Sequence, residues 1–193
     1  MMAYTDLTGL AGVAFALGVM LSRLPLISRF AVARSWLVAG IMALALLPVS
    51  DLSLAGYVRG VSGDLSVTSL LLLGLTLLSR AHPQRQGLLL LVAGAALALY
   101  PAAMGLGSFD PYRLGYGGYA ALAALLLLAL WHWVRGNGLI VLGLALAVSA
   151  WALGGYESAN LWDYLIDPWV AIHALFALGR AGLAALKRRG GAR

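Results

Sequence analysis

Seven carboxylates, thirteen basic residues and eight tyrosines are the groups of this 193-residue chain that could do chemistry. Asp51, Glu157 and Asp163 are the candidate catalytic acids and bases, because carboxylates beside arginines suit proton transfer on a bound anion or saccharide. Arg59 and Arg113 are the candidate anion clamps, since a guanidinium fork matches phosphate and carboxylate. Tyr57, Tyr112, Tyr116, Tyr156, Asn160, Trp162 and Tyr164 are the candidate substrate-binding residues. Their rings pack on the apolar faces of sugars or lipid headgroups, and their polar tips bond hydroxyls or phosphates. These residues fall in three connections: DLSLAGYVRGVSGD (51–64), GLGSFDPYRLGYGGY (105–119) and GGYESANLWDYLIDP (154–168). Whether the three converge is not a property of spacing.

Other chemistry is set aside on the residues. With no cysteine there is no disulfide, iron–sulfur cluster, thiol nucleophile or thiolate zinc site. His82 and His132 belong near one side and His173 near the other, so no bis-histidine pair forms; no metal and no cofactor is expected. His173 reads as a helix–helix hydrogen-bonding residue. Ser62 in GVSG is not a nucleophile elbow, and GYGGY (115–119) has no following Lys-Ser/Thr for a phosphate loop.

The elements that must carry these groups are membrane spans. The chain is 62% hydrophobic and 10% charged, against about 25% charged for a soluble domain. Its apolar runs predict seven transmembrane helices, at about 7–22, 35–50, 65–80, 87–104, 116–134, 138–154 and 168–186. Arg180 interrupts the last and makes it the least secure. The expected fold is therefore an all-α polytopic membrane helix bundle, one transmembrane domain over 1–193 with no soluble domain. The N-terminal MMAYTDLTGL lacks a basic region and is not read as a signal peptide.

Charge sets the orientation. With the N-terminus outside and the C-terminus cytoplasmic, only Arg59 and Arg113 of the thirteen basic residues lie outside, as the positive-inside rule demands. Basic residues confined to short connections beside apolar runs are a membrane pattern, so the net charge of +6 does not imply nucleic acid. All seven acids (Asp6, Asp51, Asp64, Asp110, Glu157, Asp163 and Asp167) fall outside in the same scheme. Helix N-termini favour Asp, so capping accounts for Asp6, Asp64, Asp110 and Asp167. Asp110-Pro111 and Asp167-Pro168 read as N-cap followed by N1. If 158–167 is helical, Asn160, Asp163, Tyr164 and Asp167 share one face, which reads as a membrane-surface turn with a solvated polar side.

All eight tyrosines also lie in the outer half, where a simple aromatic belt would populate both interfaces. The span centres carry no Asp, Glu, Lys or Arg, which weighs against ion-coupled transport. The expected function is an integral membrane subunit of the bacterial inner membrane. Its outer face docks a membrane or periplasmic protein partner, or binds an envelope lipid or glycan. The alternatives are an outer-face enzyme acting on a lipid-linked or saccharide substrate by carboxylate acid–base chemistry, and a small-molecule or lipid transporter.

Overall fold

The computed structural model describes residues 4–27, 33–78 and 82–190. The described chain is helical, with no strand among these residues. Nine α-helices follow in order: α1 Tyr4–Leu21, α2 Arg34–Leu46, α3 Leu54–Ser62, α4 Val67–Leu77, α5 Arg85–Ala103, α6 Tyr119–Val134, α7 Gly138–Ala152, α8 Leu161–Leu165 and α9 Pro168–Gly190. A 3-10 turn, Pro111–Gly115, precedes α6.

Three helices are long and apolar enough to cross a membrane: α1, α5 and the Pro168–Ala185 part of α9. Eighteen residues rise about 27 Å, close to the roughly 30 Å hydrocarbon thickness. The helix that Arg180 made doubtful is the longest of all, at 23 residues. Four shorter apolar helices, α2, α4, α6 and α7, occupy the remaining expected spans. The 51–64 connection contains a helix of its own, α3, which lies against α1 and α2.

Local sequence explains several starts. Asp51-Leu-Ser53 and Asp64-Leu-Ser66 recur because each serine caps a helix. Ser53 Oγ accepts from the Gly56 N–H and Ser66 Oγ from the Ser69 N–H. This corrects the expectation that Asp64 caps the third span: the hydroxyl two residues later takes that task. Asp110 caps the 3-10 turn through the Tyr112 N–H at 2.9 Å, and Asp167 caps α9 through the Val170 N–H at 2.9 Å. Asp167 follows the Asp-Pro reading, whereas Asp110 caps this turn and not the helix of the fifth span, α6, whose N-cap is Gly118 with no side-chain cap.

Contacts between helix termini divide the bundle into two ends. At the acid-rich end, Arg59 reaches Asp6, Asp64 and Glu157, and Asp167 accepts from the Ser66 N–H. At the basic end, Arg23 donates to Thr76 O at 3.3 Å and Arg34 to Ser22 Oγ at 3.4 Å. There the Gln84 amide ties Gly136 O to the Leu139 N–H.

The main core lies between α4, α5, α7 and α9, where Leu72, Val92, Ala96, Ile140, Val170 and Ala174 interlock. A smaller cluster of Val13, Ala14, Ala45 and Ala55 joins α1, α2 and α3. Small residues set the approach distances: a Cβ on Gly18 of α1 would lie 2.9 Å from the Val38 carbonyl oxygen of α2. Helix α6 has no buried residue; Leu126, Leu127 and Trp133 face outward. An outward apolar surface of this kind is what lipid contact requires.

Candidate functional site

Arg59 organises the acid-rich end. On α3 it lies one turn from the helix C-terminus, where a cation suits the dipole. Its Nε and Nη2 donate to Asp64 Oδ1 and Oδ2 at 2.6 and 3.1 Å, a two-point grip. Its Nη1 donates to Asp6 at 3.0 Å and its Nη2 to Glu157 at 3.4 Å. Gly9 makes the assembly possible: a Cβ there would overlap Asp64 Oδ1 and lie 2.6 Å from Arg59 Nε. The Asp64 carboxylate holds the guanidinium pKa above its ordinary value, against the opposing effect of burial and with help from Asp6. Three carboxylates around one guanidinium leave an excess of negative charge. A cleft of about 450 Å³ opens beside them, lined also by Leu10, Leu52 and glycines.

A second cluster joins the 105–119 and 154–168 connections. Asp163 accepts from the Tyr112 hydroxyl at 2.9 and 3.0 Å on its two oxygens and from Ser158 Oγ. Asn160 is buried, caps α8 through the Trp162 N–H at 2.9 Å, and donates to Tyr112 O at 3.0 Å. Trp162 Nε1 donates to Pro111 O at 3.0 Å. Gly115 closes this seam, since a Cβ there would overlap Asn160 Oδ1 and lie 2.7 Å from Trp162 Cδ1. The Tyr116 ring meets the Tyr112 ring edge-on at 5.9 Å. Burial, and then Asp163, pushes the Tyr112 phenol above its ordinary pKa.

The third cluster is interior. Asp167, 4% exposed, accepts from the Ser66 N–H at 2.7 Å and from Ser69 Oγ, as well as from Val170. One carboxylate thus serves the N-termini of α4 and α9, where both dipoles favour it. Tyr156 and Tyr164 stack at 4.6 Å. The Tyr156 hydroxyl donates to Leu65 O at 2.7 Å, and the Tyr164 hydroxyl accepts from the Tyr156 N–H at 2.9 Å. Burial raises the pKa of both phenols.

The sequence-selected residues therefore divide. Arg59 and Glu157 meet, and Tyr112, Tyr116, Asn160, Trp162 and Asp163 meet in a second group. Tyr156 and Tyr164 form inner packing. Asp51, Tyr57 and Arg113 are exposed and line neither group nor the cleft. Asp6 and Asp64, assigned to capping by the sequence, belong to the Arg59 cluster instead. The solvated polar face expected for 158–167 is not formed. Helix α8 is only five residues long, Ile166 is extended, and Asn160, Tyr164 and Asp167 turn inward. Ser158 was missed; its spacing to Asn160 and Asp163 was the available signal, since its Oγ accepts from the Asn160 N–H.

His173 contacts Arg85, the first residue of α5 at the basic end, with 3.1 Å between Nη2 and Nε2. The histidine thus bonds across helices as expected, but to the opposite end from the one its sequence position suggested. An apolar cavity of about 140 Å³ lies between α5, α6, α7 and α8, walled by Val92, Leu125, Leu128, Gly143 and Trp162. It offers dispersion contact and almost no polar group. Among the described residues, no group of three or more His, Asp or Glu side chains is placed to hold a metal ion. Comparisons of the chain with protein-family models, curated proteins and solved structures find no match.

Proposed function

We propose that this chain is a non-catalytic integral membrane protein whose outer face docks a partner protein. In this reading α1, α2, α4, α5, α6, α7 and α9 span the bacterial inner membrane, with the N-terminus outside and the C-terminus cytoplasmic. The placement of basic residues supports the orientation. The Arg59, Asp167, Arg23 and Gln84 contacts support the alternation, because each joins termini that seven crossings would put on one side, whereas the Arg85–His173 contact joins the inner start of α5 to the outer part of α9.

One observation carries the docking function: Arg59 binds Asp6, Asp64 and Glu157 together, drawing three chain segments into one preformed surface. The carboxylates are engaged in building that surface. Asp163 already accepts from two hydroxyls, Tyr112 and Ser158, across its two oxygens, and Arg59 is engaged by three carboxylates. Neither is poised as a general base or an open anion clamp. Around the clusters, Tyr57, Tyr116 and Tyr119 remain exposed, the last at 90%, and tyrosine is among the side chains enriched in protein interfaces.

The absence of cysteine makes the test direct. In intact cells an impermeant maleimide is expected to label Val61→Cys and to miss Gly136→Cys. A photocrosslinking residue at Tyr119 is expected to capture one protein species, and that species to co-purify in mild detergent. A lone, monodisperse chain with its own turnover would reject the reading. A lone chain retaining a lipid or saccharide would transfer the outer face to that ligand class.

A further inference from the structure

Arg85 stands at the basic end with no carboxylate. Arg59, at the opposite end of the bundle, pairs with three carboxylates. Arg85 has the His173 imidazole as its neighbour, and its Nε is buried without a hydrogen-bond partner. A guanidinium cannot accept, so the imidazole Nε2 accepts and the ring proton resides on Nδ1, a further donor. Among the described residues at this end, Arg23 and Arg34 instead meet a carbonyl and a hydroxyl of their own bundle, and Arg135 lies over the Trp131 ring.

The surroundings continue the pattern. His173, Arg180 and Lys187 recur every seven residues along α9 and so lie on one face. All three are exposed, and the Arg180 guanidinium sits 5.9 Å from the Phe176 ring centroid. Basic groups from two helices thus converge on one seam, flanked by exposed apolar residues such as Leu90 and Ile172. A cation beside hydrocarbon is costly unless an anion neutralises it. At the basic end of a membrane bundle, the anion at hand is a phospholipid phosphate, which a guanidinium fork fits.

We propose that the α5–α9 seam binds the phosphate of an anionic phospholipid, with Arg85 and His173 as its donors and Arg180 as a second cation. The seven-span reading puts Arg85 at the inner start of α5 and His173 near the outer start of α9, so the binding rests on the Arg85–His173 contact and not on that reading.

The test is native mass spectrometry of the full chain in mild detergent, titrated with equal phosphatidylglycerol and phosphatidylcholine. The wild type is expected to retain one phosphatidylglycerol in preference. Arg85→Gln should weaken that retention about tenfold, the loss expected of a charge-assisted group. His173→Gln and Arg85→Lys should weaken it less, and Arg23→Gln should leave it unchanged. Circular dichroism checks that each variant is folded. If Arg85→Gln does not fold, Arg85→Lys and His173→Gln decide by the same ranking. Equal retention of the two lipids, or unchanged retention in the Arg85 and His173 variants, overturns the proposal. So does inorganic phosphate that binds as tightly as the lipid, because the source would then be soluble. Detergent binding is blind to orientation. A reversed cysteine-labelling result would therefore move the lipid to the other leaflet and leave this measurement intact.

Discussion

Replacing Arg59 with alanine removes the one cation that Asp6, Asp64 and Glu157 share. The three contacts are unequal. Arg59 and Asp64 are 17% and 19% exposed and joined by two bonds; a hydrogen bond to a charged group contributes about 1.5–3 kcal/mol. Asp6 is 31% exposed at 3.0 Å, a partly screened pair of about 1 kcal/mol. Glu157 is 64% exposed at 3.4 Å, a pair of less than about 0.5 kcal/mol. Together they place the loss for Arg59→Ala near 3 kcal/mol, roughly a hundredfold in the folding equilibrium. At about 2–4 °C per kcal/mol for a chain of this length, the melting midpoint should fall by roughly 6–12 °C. Six tryptophans make intrinsic fluorescence in mild detergent a suitable readout. Asp64→Asn should reproduce most of the shift and Glu157→Gln less than about 2 °C. Raising salt should shrink the Glu157→Gln difference and leave the Asp64→Asn difference, because only the exposed pair is screened. A midpoint unchanged in Arg59→Ala, or Glu157→Gln as severe as Asp64→Asn, would refute the ledger.

Gly115→Ala should destabilise by about 1–3 kcal/mol through overpacking against Asn160 and Trp162, seen as a lower denaturation midpoint, whereas alanine at exposed Gly138 should not. Asp167→Ala strands the Ser66 N–H, Ser69 hydroxyl and Val170 N–H and should cost about 3 kcal/mol or more; Asp167→Asn, which keeps an acceptor, should cost less in the same melt. Tyr112, Tyr156 and Tyr164 all have folded-state pKa values raised by burial. Stability from these phenols is fully present below their unfolded pKa, about 10, and is lost as pH rises from there towards the folded values. Melts across pH 8–12 should show that decline, less steep in Tyr112→Phe; a decline already present at neutral pH would contradict it.

Several elements were legible before any coordinates. The apolar runs located α1, α5 and α9 within a few residues, because hydrocarbon-length periodic segments admit few other structures. The Asp-Pro dipeptides marked two helix starts through a local rule of backbone chemistry. Asp64 shows where local rules fail. Its spacing suited a cap, but Ser66 competes for the same N–H groups and leaves the carboxylate to Arg59. The 158–167 segment shows the same limit. A helix over 158–167 was the condition of its polar face, yet only Leu161–Leu165 is helical, and where its polar groups point depends on Tyr112 and Ser66, more than forty residues away in sequence.

By itself, then, the sequence determined the all-helical class, the apolar helices and the separation of acid-bearing from base-bearing connections, because each follows from composition, period and charge along the chain. Only the tertiary structure decided which charges meet. It put Asp6, Asp64 and Glu157 on Arg59, Asp163 on Tyr112, and His173 beside Arg85. Those partners are distant in sequence, and helix packing sets their distances through Gly9, Gly18 and Gly115, where the missing side chain lets neighbouring segments close.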